Sequence, residues 1–231
     1  MPDLAFSIES AEAVPFAAAP LMAFKLQLVN AVAAETIQSV MLRCQIQIEA
    51  TRRHYTPEEQ ARLLDLFGEP ERWGATLRPT LWTHANLIVP LFTDRCIVDL
   101  QVPCSFDFNL AATKYCYGLD DGEIPLTFLF SGTAFYATPG DGLQVWPIPW
   151  EKEARFRLPV HAWRALMDHY YPNGAWLRLR RDAFDRLHDY KQRAGVATWE
   201  EAIERLLRLE PARATSETTN ASEAKERLVR T

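Results

Sequence analysis

Residues 40–49 read VMLRCQIQIE, and their alternation decides the fold. Val40, Leu42, Cys44, Ile46 and Ile48 fall on one side, with Arg43, Gln45, Gln47 and Glu49 on the other. A period of two held over that length specifies a β-strand with one dry and one wet face. The natural host of such a strand is an antiparallel sheet solvated on one side.

The same rhythm extends in both directions. Upstream, Phe24, Leu26 and Leu28 alternate with Lys25 and Gln27. Downstream, HANLIVPLF (84–92) is apolar with Pro90 near its end, which places it at a sheet edge or a bulge. In RCIVDLQVPCSFDFNL (95–110), Cys96, Val98, Leu100, Val102, Phe106, Phe108 and Leu110 share one face, as two strands meeting at Pro103 or one bent strand. LDDGE (119–123) is a turn, IPLTFLFSGTAFYA (124–137) a strand, and TPGDG (138–142) a hairpin signal leading into LQVWPIPW (143–150). About seven or eight strands at this spacing indicate a β-sandwich.

One stretch among them changes period. In HYTPEEQARLLDLFG (54–68), Thr56 caps, Pro57 takes the first helical position, Glu59 completes a capping box and Gly68 stops the helix. Leu63, Leu64 and Phe67 would form its apolar stripe. Beyond Trp150 helical spacing takes over, through Val160, Trp163, Leu166, Met167 and Tyr170, then Ala183, Phe184, Leu187 and Tyr190, then Ala202, Ile203, Leu206 and Leu207. Gly195 closes the second of these, and Thr198 with Glu201 opens the third.

Strands followed by helices make an α+β protein. The expected architecture is an antiparallel β-sandwich over 1–158 with one helix inserted at about 57–68, and a C-terminal group of about three helices, 159–210, packed on it in the same domain. Residues 211–231 lack periodicity and are expected to be a disordered tail.

Composition excludes several classes of function. The 231 residues carry a formal charge of -5, which lacks the basic footprint of a nucleic-acid partner. The amino terminus has no basic residue before Lys25, unlike a signal peptide, and no apolar run reaches the roughly 18 residues of a membrane span. A cytoplasmic chain is expected, with neither membrane nor nucleic acid as partner; self-association stays open.

The cysteines, Cys44, Cys96, Cys104 and Cys116, form no C-x-x-C pair and have no histidine at ligand spacing beside them. All take the even parity of the apolar face, so core thiols are expected rather than metal ligands or nucleophiles. The histidines make no H-E-x-x-H, LDDGE lacks the ligand positions of a calcium loop, and no G-x-S-x-G or phosphate-binding glycine motif occurs. The sequence assigns no catalytic residue, metal ligand or cofactor.

Two aromatic stretches remain. GEPERWGATLRPTLWTH (68–84) contributes Arg72, Trp73, Arg78 and Trp82, and QVWPIPW (144–150) contributes Trp146 and Trp150. Alternation sets Val145 on one face and Trp146, Ile148 and Trp150 on the other, so both faces are apolar and something must cover each. Either the C-terminal helices do so and the 68–84 stretch is a covered corner, or these tryptophans and arginines form a partner-binding surface. If the surface reading holds, Trp82→Ala with Arg78→Ala should leave the fold intact and weaken partner capture.

Over MLRCQIQIEATRRHYTPEEQARLLDLFGEPERWGATLRPTLWTH (41–84), VPCSFDFNLAATKYCYGLDDGEIPLTFLFSGTAFY (102–136) and VWPIPWEKEARFRLPVHAWRALMDHYYPNGAWLRLRRDAFDRLHDYK (145–191), the chain resembles an uncharacterised bacterial family. Its members are met beside genes for the actinobacterial-type, oxygen-tolerant nickel-iron uptake hydrogenase. The resemblance implies a hydrogenase accessory protein and transfers no catalytic residue. Two roles follow: a non-catalytic scaffold or assembly chaperone holding a hydrogenase subunit or maturation protein, or a maturation enzyme or metal-delivery protein using the cysteines.

Overall fold

The computed structural model describes residues 2–32, 35–138, 140, 142–174 and 177–209; the tail expected over 211–231 lies outside them. The chain divides into two compact units, residues 1–175 and 176–231. The division falls inside the helical segment expected over 159–210.

The first unit is built on strands β1 (Leu4–Ala13), β2 (Leu21–Asn30), β3 (Thr36–Ile48), β4 (Thr80–Val89), β5 (Arg95–Pro103), β6 (Glu123–Thr138), β7 (Gly142–Pro147) and β8 (Glu153–Pro159). They form two antiparallel sheets. The smaller has the order β1-β2-β5; the larger runs β4-β3-β6-β7, with β8 also on β6. This is the α+β sandwich that the alternation of residues 40–49 indicates.

Parity holds where it was legible. On β3 Val40, Leu42, Cys44, Ile46 and Ile48 are all buried, and on β2 Met22, Phe24, Leu26 and Leu28 face them from the other sheet. Phe24 is the central knob, meeting Trp82 of β4, Phe128 of β6 and Phe156 of β8 edge-on at 6.1, 5.1 and 6.0 Å. Each such aromatic pair adds about 0.5–1.5 kcal/mol beyond its buried area. Phe6 of β1 stacks on Phe130 of β6 at 4.4 Å and ties the sheets a second time.

Three expectations are corrected. The apolar parity past Pro103 does not continue a strand: residues 105–108 turn, and α4 (Leu110–Gly118) follows, capped by Asn109, whose side chain accepts from the Ala112 amide. The helix inserted among the strands is therefore not alone. It is itself divided into α1 (Pro57–Arg62) and α2 (Leu64–Phe67) at Leu63, and α3 (Trp73–Thr76) follows. The Thr56–Glu59 capping box forms at α1, and Gly68 takes a φ of 72° after α2. Strands β1 and β8, read as nothing from sequence, complete the eight found among the described residues.

Helix α5 (Val160–Tyr170) follows β8 directly and packs against β1, β8 and α4 through the buried Val160, Trp163, Leu166 and Met167. The second unit pairs α6 (Arg181–Ala194) with α7 (Trp199–Leu209). Gly195 ends α6 in the left-handed conformation, and Thr198 accepts from the Glu201 amide at the start of α7.

Candidate functional site

The six residues singled out from the sequence divide between two places. Trp82 is 6% exposed, inside the sandwich against Phe24. A bulge explains why simple alternation misplaces it: Ile46 pairs with Thr83 but Gln47 with Leu81, so β4 carries an extra residue and both Trp82 and Thr83 turn inward. Trp73 is half-buried, its Nε1 donating to the Gly68 carbonyl at 2.9 Å and its ring edge-on to Tyr55 and Phe67. Arg72 and Arg78 are exposed and make no ion pair among the described residues. In the 68–84 stretch the two tryptophans are thus packed against the chain, while both arginines stand at the surface. The expectation that Trp82→Ala spares the fold is withdrawn on the same ground.

The corner is pinned by a polar network. The Glu59 carboxylate, almost fully buried, accepts from Arg53 Nη2 at 2.6 Å, the Asp120 amide at 2.9 Å and the Thr56 amide at 3.1 Å. Arg53 also donates to the Asp121 and Glu123 carbonyls, and Arg62 grips Asp120 through both nitrogens at 2.7 Å. The Arg62 hydrogen bond holds the Asp120 carboxyl below the usual carboxylate range. Tyr55 donates to or accepts from Tyr115 at 2.8 Å, and burial pushes both phenols up. Asn109 donates to the Leu81 and Trp82 carbonyls, fastening α4 to β4. Apart from the buried Arg53 Nε, which has no partner among the described residues, these groups satisfy one another, as expected of a structural latch.

Trp146 is 7% exposed and belongs to the core, whereas Trp150 is 88% exposed. Their separation originates at Gly132. Strand β6 is paired by β8 over 123–129 and by β7 over 133–138, and the chain must cross between these partners. Ile148 donates to the Gly132 carbonyl and Phe130 to the Lys152 carbonyl, both at 2.9 Å, so residues 148–152 form the crossing and lift Trp150 off the sheet. Gly132 has a φ of 138°, and a Cβ there would lie 2.0 Å from the Met41 carbonyl oxygen. No other residue fits.

The surface beside Trp150 is the outer face of the larger sheet. Register sets Ile88, Met41 and Thr133 in one row across β4, β3 and β6, then Asn86, Arg43 and Ser131, then His84, Gln45 and Leu129. A cavity of about 760 Å³ lies over the first two rows, lined by Met41, Arg43, Asn86, Ile88, Ser131, Gly132 and Thr133. A second, of about 570 Å³, is lined by Arg43, Gln45, His84, Asn86, Leu129, Ser131 and Trp150. Sharing Arg43, Asn86 and Ser131, the two form one groove. Toward β7 the face continues through Phe135 and Val145, paired with each other, and Leu143.

This face is bare. Among the described residues of the first unit no element lies over it: Met41 is 56% exposed, Ile88 72%, Val145 61% and Leu143 64%. Sequence reasoning missed Met41, Arg43 and Ile88 as a group. The signal was present: Met41 and Ile88 are aliphatic at the parity that otherwise reads polar.

The cysteines take another course. Cys44, Cys104 and Cys116 are buried in the core and Cys96 is partly buried. Burial pushes the Cys44 and Cys104 thiols up to about 12, and raises those of Cys116 and Cys96. Thiols in such settings are poor nucleophiles and poor ligands. Among the described residues no helix is long and apolar enough to cross a membrane.

A latched corner and a bare sheet face define the class: an α+β sandwich whose accessible chemistry is a surface groove. The chain belongs to a family of unknown function (DUF6084), matched over residues 1–215. No curated protein matches it. Among solved structures it is similar to the CARDB domain of a Pyrococcus furiosus protein in complex with di-metal ions, at 10% identity over 68% of this chain and 92% of that one, with a TM-score of 0.27. It is also similar to a Bordetella pertussis protein provisionally called ApaA, at 13% identity over 68% and 93%, with a TM-score of 0.25. Likeness at these scores carries no inference about what the chain binds.

Proposed function

We propose that the protein is a non-catalytic, cytoplasmic accessory protein, a scaffold or assembly chaperone that binds a subunit or maturation protein of a nickel-iron uptake hydrogenase by protein contact. The observation that carries the contact reading is the bare outer face of the larger sheet, with Met41, Ile88 and Val145 each more than half exposed beside Trp150. The solvated face of an antiparallel sheet ordinarily carries polar side chains, and an exposed apolar surface rimmed by polar side chains is the usual form of a protein-binding site. Exposed tryptophan is moreover among the residue types most enriched where binding energy concentrates. The hydrogenase context rests on the resemblance of residues 41–84, 102–136 and 145–191. The alternative of cysteine-based metal delivery draws no support from the thiols, of which three are buried.

The test is affinity purification of the tagged full chain from a host expressing the hydrogenase genes, with metal analysis of the purified protein. Hydrogenase subunits or maturation proteins identified by mass spectrometry, without stoichiometric metal on the accessory chain, are the expected result. Stoichiometric nickel, iron or zinc lost on Cys96→Ser or Cys104→Ser would overturn it.

A further inference from the structure

Resting on that reading of the face, we propose that the groove takes an amphipathic helix of the partner protein, with its apolar side on Met41 and Ile88 and an acidic side chain on Arg43.

The backbone of the floor sets the first constraint. Strand β3 is bonded along both edges, to β4 and to β6, through Met41, Arg43 and Gln45 alike. An added strand needs a free sheet edge, which β4 offers only on its side away from β3, so an extended peptide lying over Met41 and Arg43 cannot gain main-chain pairing. The same pairing leaves no nest of free amides to hold a terminal carboxylate, which directs the choice to a side-chain carboxylate.

Dimensions agree with a helix. The floor is three strands wide, which at the spacing of paired strands is about 10 Å, close to the roughly 10–12 Å diameter of a helix with its side chains. Its length from Met41 to Gln45 is about 13 Å, or roughly two and a half helical turns.

Charge supplies the third constraint. No Asp or Glu lines either cavity, and Arg43 makes no ion pair among the described residues. In a chain of net charge -5, this cation without a carboxylate neighbour complements an acidic group on the occupant. The apolar row of Ile88 and Met41 immediately beside it matches aliphatic side chains three or four residues away on the same helix face.

The test is selection from a display library of random peptides about 16 residues long, against the folded full chain. Binders are then measured by fluorescence anisotropy on the wild type, Arg43→Glu and Met41→Arg, each checked for an unchanged melting temperature. The expected binders have apolar residues at helical spacing with Asp or Glu among them. They should lose about tenfold or more in affinity on Arg43→Glu and regain it when the peptide's acid is replaced by Lys. Binders that are basic, that alternate as strands, or that ignore both substitutions would overturn the proposal, as would the absence of any binder sensitive to Met41→Arg. If hydrogenase co-purification depends on Met41 while no helical peptide is selected, the helix is rejected and the contact reading stands.

Discussion

The helical corner and the groove on the outer face of the larger sheet both carry tryptophan and arginine side chains, yet these groups are used in opposite ways. In the corner, Arg53 and Arg62 end on Glu59 and Asp120, Tyr55 meets Tyr115, and the Trp73 indole N–H is satisfied by Gly68. On the sheet face Arg43 is unpaired among the described residues and Trp150 is 88% exposed. Aromatic content alone therefore does not mark a surface. What distinguishes the two is whether polar atoms and apolar area are already spent within the chain.

The comparison predicts a graded set of effects. Trp82→Ala removes the edge contact with Phe24 and leaves a cavity between the sheets, so chemical denaturation should show a loss of about 3–5 kcal/mol. Glu59→Ala strands the Arg53 guanidinium, and the loss of a buried partner should cost a similar 3–5 kcal/mol or so. Gly132→Ala forces a Cβ onto the Met41 carbonyl and should cost roughly 3 kcal/mol, read as a lowered denaturation midpoint. Values below about 1 kcal/mol for all three would erase the distinction between corner and face.

Smaller effects sharpen it. Alkylation of the native protein at pH 8 should label Cys96 slowly and spare Cys44, Cys104 and Cys116, whose thiols are buried; mass spectrometry of the labelled peptides reads this directly. Asp120 gives a pH signature. Its folded carboxyl titrates below the unfolded value of about 3.9, so its contribution is present above that value and disappears as pH falls through the folded one. Asp120→Asn should therefore lower stability modestly at neutral pH, leave it nearly unchanged below the folded value, and so flatten the acid limb. At the bottom of the scale, Trp150→Ala and Met41→Arg should each shift stability by less than about 0.5 kcal/mol.

Much of the sandwich was legible because period-two burial is a local signal: the faces of β2 and β3 follow from VMLRCQIQIE and its neighbours. The capping box of α1 was equally local, since Thr56 and Glu59 satisfy each other's backbone amides. Helix α4 was not legible, because the even parity of Phe106, Phe108 and Leu110 happens to continue that of β5 across the turn. The inward turn of Trp82 depends on a bulge defined only by pairing with β3, and the emergence of Trp150 on the crossing at Gly132. Both are consequences of register between strands distant in sequence. Of the residues expected to bind a partner, Trp150 alone lies on the groove, while Arg43, Met41 and Ile88 become a group only once β3, β4 and β6 are side by side.

The central claim is that this protein acts through the outer face of its larger sheet. Its most direct test is co-purification of identified hydrogenase subunits or maturation proteins with the double variant Met41→Arg, Trp150→Ala, beside the wild type and an Arg78→Ala control on the corner. A folded double variant that loses at least about tenfold in recovered partner, with the control unchanged, is the predicted result. Full recovery by the double variant, or loss only on Arg78→Ala, would contradict it.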